Sequence, residues 1–378
     1  MTFAELGVSP ALVTALAKQH ISEPTPIQCA ALPVLMAGKD AYLHAETGTG
    51  KTLAYLLPVF GQLDSVLAAT QVVILAPTHE LAIQLQRQVC DLAQNAGWPI
   101  RSLLLIGGTA LDRQLDKLKK KPQVVVGSPG RIRELISMGK LKTPAIKHLV
   151  IDEADRLLDA ESLPAVRAII DAAPRARQLI FASATETPEC AAVIATLAPS
   201  LVMVRTGGAP VNENIEHLYL VCEQREKPEF IRKLFHALQP DRVMVFVHRS
   251  ETAAQITAKL SEQKIPVADL SSALNKLDRK QAMDDFRSAK VRVLIASDVA
   301  ARGLDIPGVT HIFNLDVPTL SKAYLHRVGR TGRAGARGLA VTLFTDDEVR
   351  LVRRYEEELG IVMQHVKVRD GQVSTTGR

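Results

Sequence analysis

Short apolar runs rich in β-branched residues recur at 41–45 (AYLHA), 72–77 (VVILAP), 124–129 (VVVGSP), 149–155 (LVIDEAD) and 179–185 (LIFASAT). The series resumes at 243–248 (VMVFVH), 291–298 (VRVLIASD), 310–316 (THIFNLD) and 338–344 (GLAVTLF), and longer helical patterns separate the runs. Strands that are apolar on both faces and alternate with helices build parallel sheets wrapped on both sides, so the pattern predicts an α/β protein. Between the two series lies VRTGGAPVNENIEH (204–217), whose Gly, Pro and Asn read as a linker. Two domains are therefore expected, at 1–205 and 214–368, with 206–213 joining them and 369–378 forming a short tail. Most polar signatures follow directly after an apolar run. In open parallel sheets that is where ligands bind, in the crevice outside the carboxyl ends of the strands.

Composition narrows the class only a little. A chain of 378 residues that is 47% hydrophobic and 23% charged can fill two cores and is not disordered. A net charge of +6 leans toward polyanionic partners. Four scattered cysteines, without metal-ligand spacing, predict reduced thiols and a cytoplasmic compartment. The first twenty residues lack the basic region and apolar run of a signal peptide, and no apolar stretch is long enough to span a bilayer.

The segment AETGTGKT (45–52) lies between a predicted strand and the apolar helix LAYLLPVF. It fits the phosphate-loop pattern G-x-x-x-x-G-K-T, with Ala45 in place of the first glycine. Gly48 and Gly50 let backbone N–H groups curl around phosphates, Lys51 reaches the outer phosphates, and Thr52 places a hydroxyl on Mg²⁺. A Mg·ATP site also needs a second carboxylate and a group that activates water, and Asp152 and Glu153 supply both at the end of a strand. In YLHRVGRTGRAG (324–335), Arg327, Arg330 and Arg333 recur every third residue among glycines. They read as a clamp for anions: a nucleic-acid backbone, a nucleotide's phosphates, or solvent ions.

The signatures PTPIQ (24–28), DEAD (152–155), SAT (183–185) and HRVGRTGR (326–333) together resemble those of the DEAD-box ATP-dependent RNA helicases, over residues 3–345. The resemblance implies two RecA-like domains, each a mostly parallel sheet with helices on both faces, with Mg·ATP between them and RNA across both. It also implies RNA-stimulated ATP hydrolysis, coupled to domain closure and to local unwinding of short duplexes or RNP remodelling. The phosphate loop would comprise Ala45, Glu46, Thr47, Gly48, Thr49, Gly50, Lys51 and Thr52, with Asp152 and Thr52 handling Mg²⁺ and Glu153 activating water. Gln28 would read adenine with Phe3 in support, although Ile21 stands where the family has an aromatic and His20 where it has a glycine. Asp305 would hold the ribose. Arg330 and Arg333 would reach the γ-phosphate as arginine fingers. Asp155, Ser183, Thr185 and His326 would couple closure to hydrolysis.

By the same resemblance, RNA would meet Pro77, Thr78 and His79, then Gly107 and Gly108, then Ser128, Gly130 and Arg131. In the second domain it would meet Arg249, Lys276, Arg279 and Ser297. The chain departs from the family at His79 (usually Arg), Ser128 (usually Thr), Ser271 and Ser272 (usually His-Gly) and Lys276 (usually Gln). Aromatics are 4% of the chain, with one tryptophan, Trp98, so contact with the RNA backbone outweighs base stacking. Binding is then sequence-independent, to single strands or short duplexes, and a protein cofactor would supply specificity. The lysine run in DKLKKKPQ (116–123) reads as a solvated helix end. Two other activities fit the same motifs: a slow-turnover, ATP-gated RNA clamp, and a DNA helicase or translocase.

Overall fold

Burying both faces of a strand requires sheet partners on either side and helices above and below, and the apolar runs have all four. The structure is a computed structural model. It describes every residue except 46–47, 207–212, 271–275, 302–305, 307, 333–335, 370 and 376–378, together with the side chains at 276, 277, 299 and 322. The chain divides into two compact units, Met1–Gly207 and Gly208–Arg378. The expected linker at 206–213 falls almost wholly outside the described residues.

In the first unit the strands are β1 (Ala41–His44), β2 (Val72–Leu75), β3 (Ser102–Leu105), β4 (Val124–Gly127), β5 (His148–Asp152), β6 (Gln178–Ser183) and β7 (Val202–Arg205). Among the described residues they form a parallel sheet in the order β3-β4-β2-β5-β6-β1-β7. Alternation along each strand feeds two cores. Val72 and Ile74 join one cluster with Leu81, Leu85 and Val89, while Val73 and Leu75 join another with Ile132 and Leu135. The helix His79–Ala96 shows how locally this is written. Its apolar positions recur at helical spacing and are buried, the Thr78 hydroxyl caps its start by accepting from Leu81 N at 3.2 Å, and Gly97 ends it at φ 70°.

The second unit holds β8 (Ile215–Val221), β9 (Val243–Phe246), β10 (Val267–Asp269), β11 (Val293–Ala296), β12 (His311–Asn314), β13 (Gly338–Phe344), β14 (Met363–Arg369) and β15 (Gln372–Thr375). Its order is β10-β11-β9-β12-β13-β8-β14-β15, parallel throughout except for the antiparallel pair β14 and β15. Four of the residues expected in a tail are thus a strand, because Val366, Lys367, Val368 and Arg369 offer β15 a free ladder edge. Among the described residues, no helix is long and apolar enough to cross a membrane.

The lysine run lies at the wrong end of its sheet to join the motif loops. It closes the helix Leu111–Leu118 and leads into the start of β4, while the loop bearing Ser128 leaves the strand's far end. Lys119 is 77% exposed and pairs with the similarly solvated Asp116 at 2.8 Å.

Candidate active site

Three neighbouring strands carry the nucleotide motifs. In the parallel register Asp152 lies beside Ala182, and Ser183 lies beside His44. The next residue, Ala45, donates its N–H to the Ser183 carbonyl at 3.2 Å. Adjacent strands are about 4.8 Å apart, so the phosphate loop, the SAT segment and the DEAD segment all begin in one layer of the sheet rim.

The loop turns through Gly48 (φ 85°) and Gly50 (φ 93°), and Lys51 opens the helix Lys51–Gly61. Glycine is required at 50 for space as well as for φ, because a Cβ there would stand 2.5 Å from Gln28 Nε2. Gln28, only 2% exposed, donates from Nε2 to the Gly50 carbonyl at 3.1 Å and accepts from Thr25 N at Oε1, 2.9 Å. A carboxamide has two donors and two acceptor sites, so these bonds leave one of each. Lys51 donates to the Ala45 carbonyl. Thr52 is half-buried, Phe3 is buried in the core cluster beneath, and Ile21 packs against that cluster. Glu46 and Thr47 lie outside the described residues.

Asp152 is buried and its two oxygens are held separately. Oδ2 accepts from the Tyr55 hydroxyl at 2.8 Å, and Oδ1 from Glu153 N at 2.9 Å. Burial pushes the Asp152 carboxyl up to about 6; the neighbouring Glu153 charge adds to this, while Tyr55 and Lys51 oppose it. Glu153 itself sits at φ 52°, ψ 53°, a left-handed conformation that turns β5 into the short helix Ala154–Leu157. Its carboxylate accepts from Arg156 at 3.2 Å. Behind it the Thr185 hydroxyl donates to Asp155. Ser183 Oγ donates to the Thr185 carbonyl at 2.7 Å and accepts from Thr185 N at 3.1 Å, and the Tyr42 hydroxyl donates to the same carbonyl at 3.3 Å.

The segments assigned to RNA leave the other three adjacent strands, β2, β4 and β3. Pro77 and Thr78 lead into the helix His79–Ala96, and the His79 ring lies 3.8 Å from where a Cβ of Gly107 would be, so two of these loops meet. Gly108 turns at φ 66°. Ser128 precedes the helix Pro129–Ser137, donating its N–H to the Leu105 carbonyl at 3.0 Å. β3 and β4 approach so closely there that a Cβ on Gly127 would come within 1.9 Å of that carbonyl. Gly130 is exposed, and Arg131 pairs with Glu134 at 3.0 Å.

In the second unit Arg327 and Arg330, two of the three evenly spaced arginines, part company. Arg327 is 1% exposed and does not join a surface clamp. Its guanidinium meets Asp298 through two bonds (2.6 and 2.8 Å), the Asp316 carbonyl (2.5 Å), Asn314 Oδ1 (3.3 Å) and His248 Nε2 (3.0 Å), above the Phe246 ring. These partners end β9, β11 and β12, so one side chain ties three motif loops to the helix Ser321–Val328. Replacing Arg327 by Ala should destabilise this unit by about 2–4 kcal/mol, somewhat below the loss of a fully buried ion pair because Asp298 keeps 29% exposure. Denaturant unfolding followed by a probe in the second unit checks this, and an unchanged midpoint would count against it.

Arg330, 8% exposed, donates from Nε to the His326 carbonyl at 3.3 Å. Arg249 is exposed at the start of the helix Ser250–Glu262. Ser297 Oγ accepts from Ala300 N at 3.2 Å, and Arg279 donates to the Ala300 carbonyl at 2.8 Å. Asp305, Arg333, Ser271, Ser272 and the Lys276 side chain lie outside the described residues. Tyr55, Tyr42 and the Arg327 partners Asn314 and Asp316 escape motif analysis. The only trace of Tyr55 in the sequence is one phenol within an otherwise apolar helix.

Comparison with known proteins identifies the family. The family model for DEAD/DEAH box helicases matches residues 25–193, and that for the helicase conserved C-terminal domain matches 226–335. The chain is 40% identical over 355 residues to the DEAD-box ATP-dependent RNA helicase CshC of Bacillus cereus, covering 94% of this chain and 90% of that protein. S. cerevisiae Dbp5 bound to RNA and ADP BeF3 superposes with a TM-score of 0.87 at 29% identity, covering 98% and 96% of the two chains. A variant of the same yeast protein bound to Gle1 superposes with a TM-score of 0.84 at 28% identity, covering 98% and 95%.

Proposed function

Since the chain belongs to the DEAD-box family of ATP-dependent RNA helicases, we propose how its residues divide the work of RNA-stimulated ATP hydrolysis. The protein is an RNA helicase that hydrolyses ATP, built from two RecA-like units. The observation that carries the assignment of roles is the shared layer of β5, β6 and β1, which puts Asp152, Glu153, Ser183 and the phosphate loop side by side.

ATP enters with its phosphates against the backbone of Gly48–Thr52. Lys51 exchanges the Ala45 carbonyl for the outer phosphates, and the helix Lys51–Gly61 adds the positive end of its dipole. Gln28 reads adenine with the donor and acceptor it has left, Phe3 and Ile21 packing nearby, and Asp305 holds the ribose. Thr52 and Asp152 fit Mg²⁺: both offer hard oxygen donors, and a buried carboxyl held at about 6 is one that a cation would relieve. Bound there, Mg²⁺ would offset the phosphate charge. Glu153 orients the attacking water and takes its proton. Arg330 and Arg333 meet the γ-phosphate when the domains close, through Asp155, Ser183, Thr185 and His326. The domain limits 1–205 and 214–368 follow from the same division.

RNA is held by its backbone, at helix starts such as those after Thr78 and Ser128 and by Arg131, Arg249 and Arg279. His79, in place of an arginine, makes that contact weaker. The loops after β2, β3 and β4 lack the aromatic platforms of base-reading proteins. A protein cofactor supplies target choice; the Dbp5 variant bound to Gle1 is a relative that takes a protein partner. Four free thiols fit a reducing cytoplasm.

Steady-state hydrolysis measured without nucleic acid, with single-stranded RNA and with DNA of the same sequence tests this assignment. RNA should stimulate strongly, DNA little, and GTP should replace ATP poorly. Equal rates with GTP would remove the adenine role of Gln28, and equal stimulation by DNA would overturn recognition through the 2′-hydroxyls.

A further inference from the structure

Tyr55 lies in the apolar stretch of the helix Lys51–Gly61 and is fully buried among Ala54, Leu56 and Leu57. A phenylalanine would fill the same space, so the hydroxyl calls for its own account. Its partner is Asp152 Oδ2 at 2.8 Å. The phenol hydroxyl donates and the carboxylate oxygen accepts, so Tyr55 is the donor of this bond. The other carboxylate oxygen accepts from Glu153 N. Asp152 is therefore gripped from two elements at once, its own strand end and the helix that starts at the phosphate loop. Tyr55 also stands three residues after Thr52, on the same side of that helix.

We propose that Tyr55 is a positioning residue, which fixes the Asp152 carboxylate relative to Thr52 so that both oxygen donors face one cation. This rests on the assignment of Asp152 and Thr52 to Mg²⁺. The phenol acts through Asp152, whose carboxylate it holds, and through the Thr52 hydroxyl, which it also meets. Freed of it, the carboxylate can rotate about its side-chain bonds and present its oxygens in several ways. Partners that orient metal ligands typically contribute 10–100-fold to metal affinity.

Tyr55→Phe keeps the ring and removes only the donor. In the full chain, with RNA present, the Mg²⁺ concentration that half-saturates binding of a fluorescent ATP analogue should rise about 10–100-fold. Metal-free nucleotide binding should stay within twofold, and kcat should recover at saturating Mg²⁺. A role confined to packing would lower the thermal midpoint and leave the Mg²⁺ midpoint in place, and that result overturns the proposal. Asp152→Asn serves as the reference. If it moves the Mg²⁺ midpoint and Tyr55→Phe does not, the role of Tyr55 fails alone. If neither moves it, the assignment of Asp152 to the metal fails and the positioning role falls with it.

Discussion

Replacing Arg330 by Ala is expected to lower kcat for RNA-stimulated ATP hydrolysis by about 10³–10⁵-fold, about 4–7 kcal/mol of barrier. Charge builds on the transferred phosphoryl group only as the reaction proceeds, so a guanidinium aimed there acts on kcat far more than on ATP binding. The side chain is not one loose arginine among three. It is 8% exposed, and its Nε is held by the His326 carbonyl one helical turn earlier. Arg327, three residues before it, is tied to Asp298, Asn314 and Asp316, so the two arginines should fail differently. Loss of Arg327 should show mainly in stability, whereas loss of Arg330, if it is the finger, should show mainly in kcat. Single-turnover hydrolysis with ATP and RNA saturating, alongside an unfolding curve, separates them. Arg330→Lys should recover little, since a point charge does not replace the planar fork. A fall in kcat of less than tenfold for Arg330→Ala would refute the finger role.

Replacing Glu153 by Gln is expected to slow hydrolysis by about 10²–10⁴-fold while ATP and RNA both stay bound. The amide keeps the length and hydrogen-bonding reach of the side chain but cannot take a proton from water. The bond from Arg156 is partly exposed at both ends, so its weakening costs little stability. With turnover blocked, coupling between the ligands becomes visible: if RNA tightens ATP, ATP must tighten RNA by the same factor. The half-time of RNA release should therefore lengthen with ATP and not with ADP. Undiminished turnover in this variant would remove Glu153 from the role of base.

Most of the first sheet was legible because its inner strands β4, β2 and β5 are buried along their length and carry apolar runs, unbroken in VVIL of β2 and VVVG of β4 and flanked by single polar residues in HLVID of β5. The strands that escaped are mostly edges. β3 alternates half-buried with buried positions, β7 is half-exposed, and β10 has three residues, none fully buried. An edge strand has only one neighbour to cover it and so does not need an unbroken apolar run. The phosphate loop and the DEAD segment were legible for another reason, since each is a chemical unit written in consecutive residues. Tyr55 and Asp152 are 97 residues apart, and Arg327 and Asp298 are 29 apart. No local pattern links either pair, because the fold alone makes them neighbours. The even spacing of the three arginines reads as one clamp, and the burial of Arg327 shows that spacing does not fix direction.

The backbone at Glu153 sets the fold against the work it performs. Outside glycine, asparagine and aspartate, residues rarely enter the left-handed region, and holding one there costs about 1–3 kcal/mol. Glycine at this position would relieve that cost, and with Glu153 as the base the same change should slow turnover as Glu153→Gln does. Laboratory selection for heat tolerance alone should therefore favour glycine at position 153, whereas selection for ATP hydrolysis should retain glutamate in the less comfortable conformation.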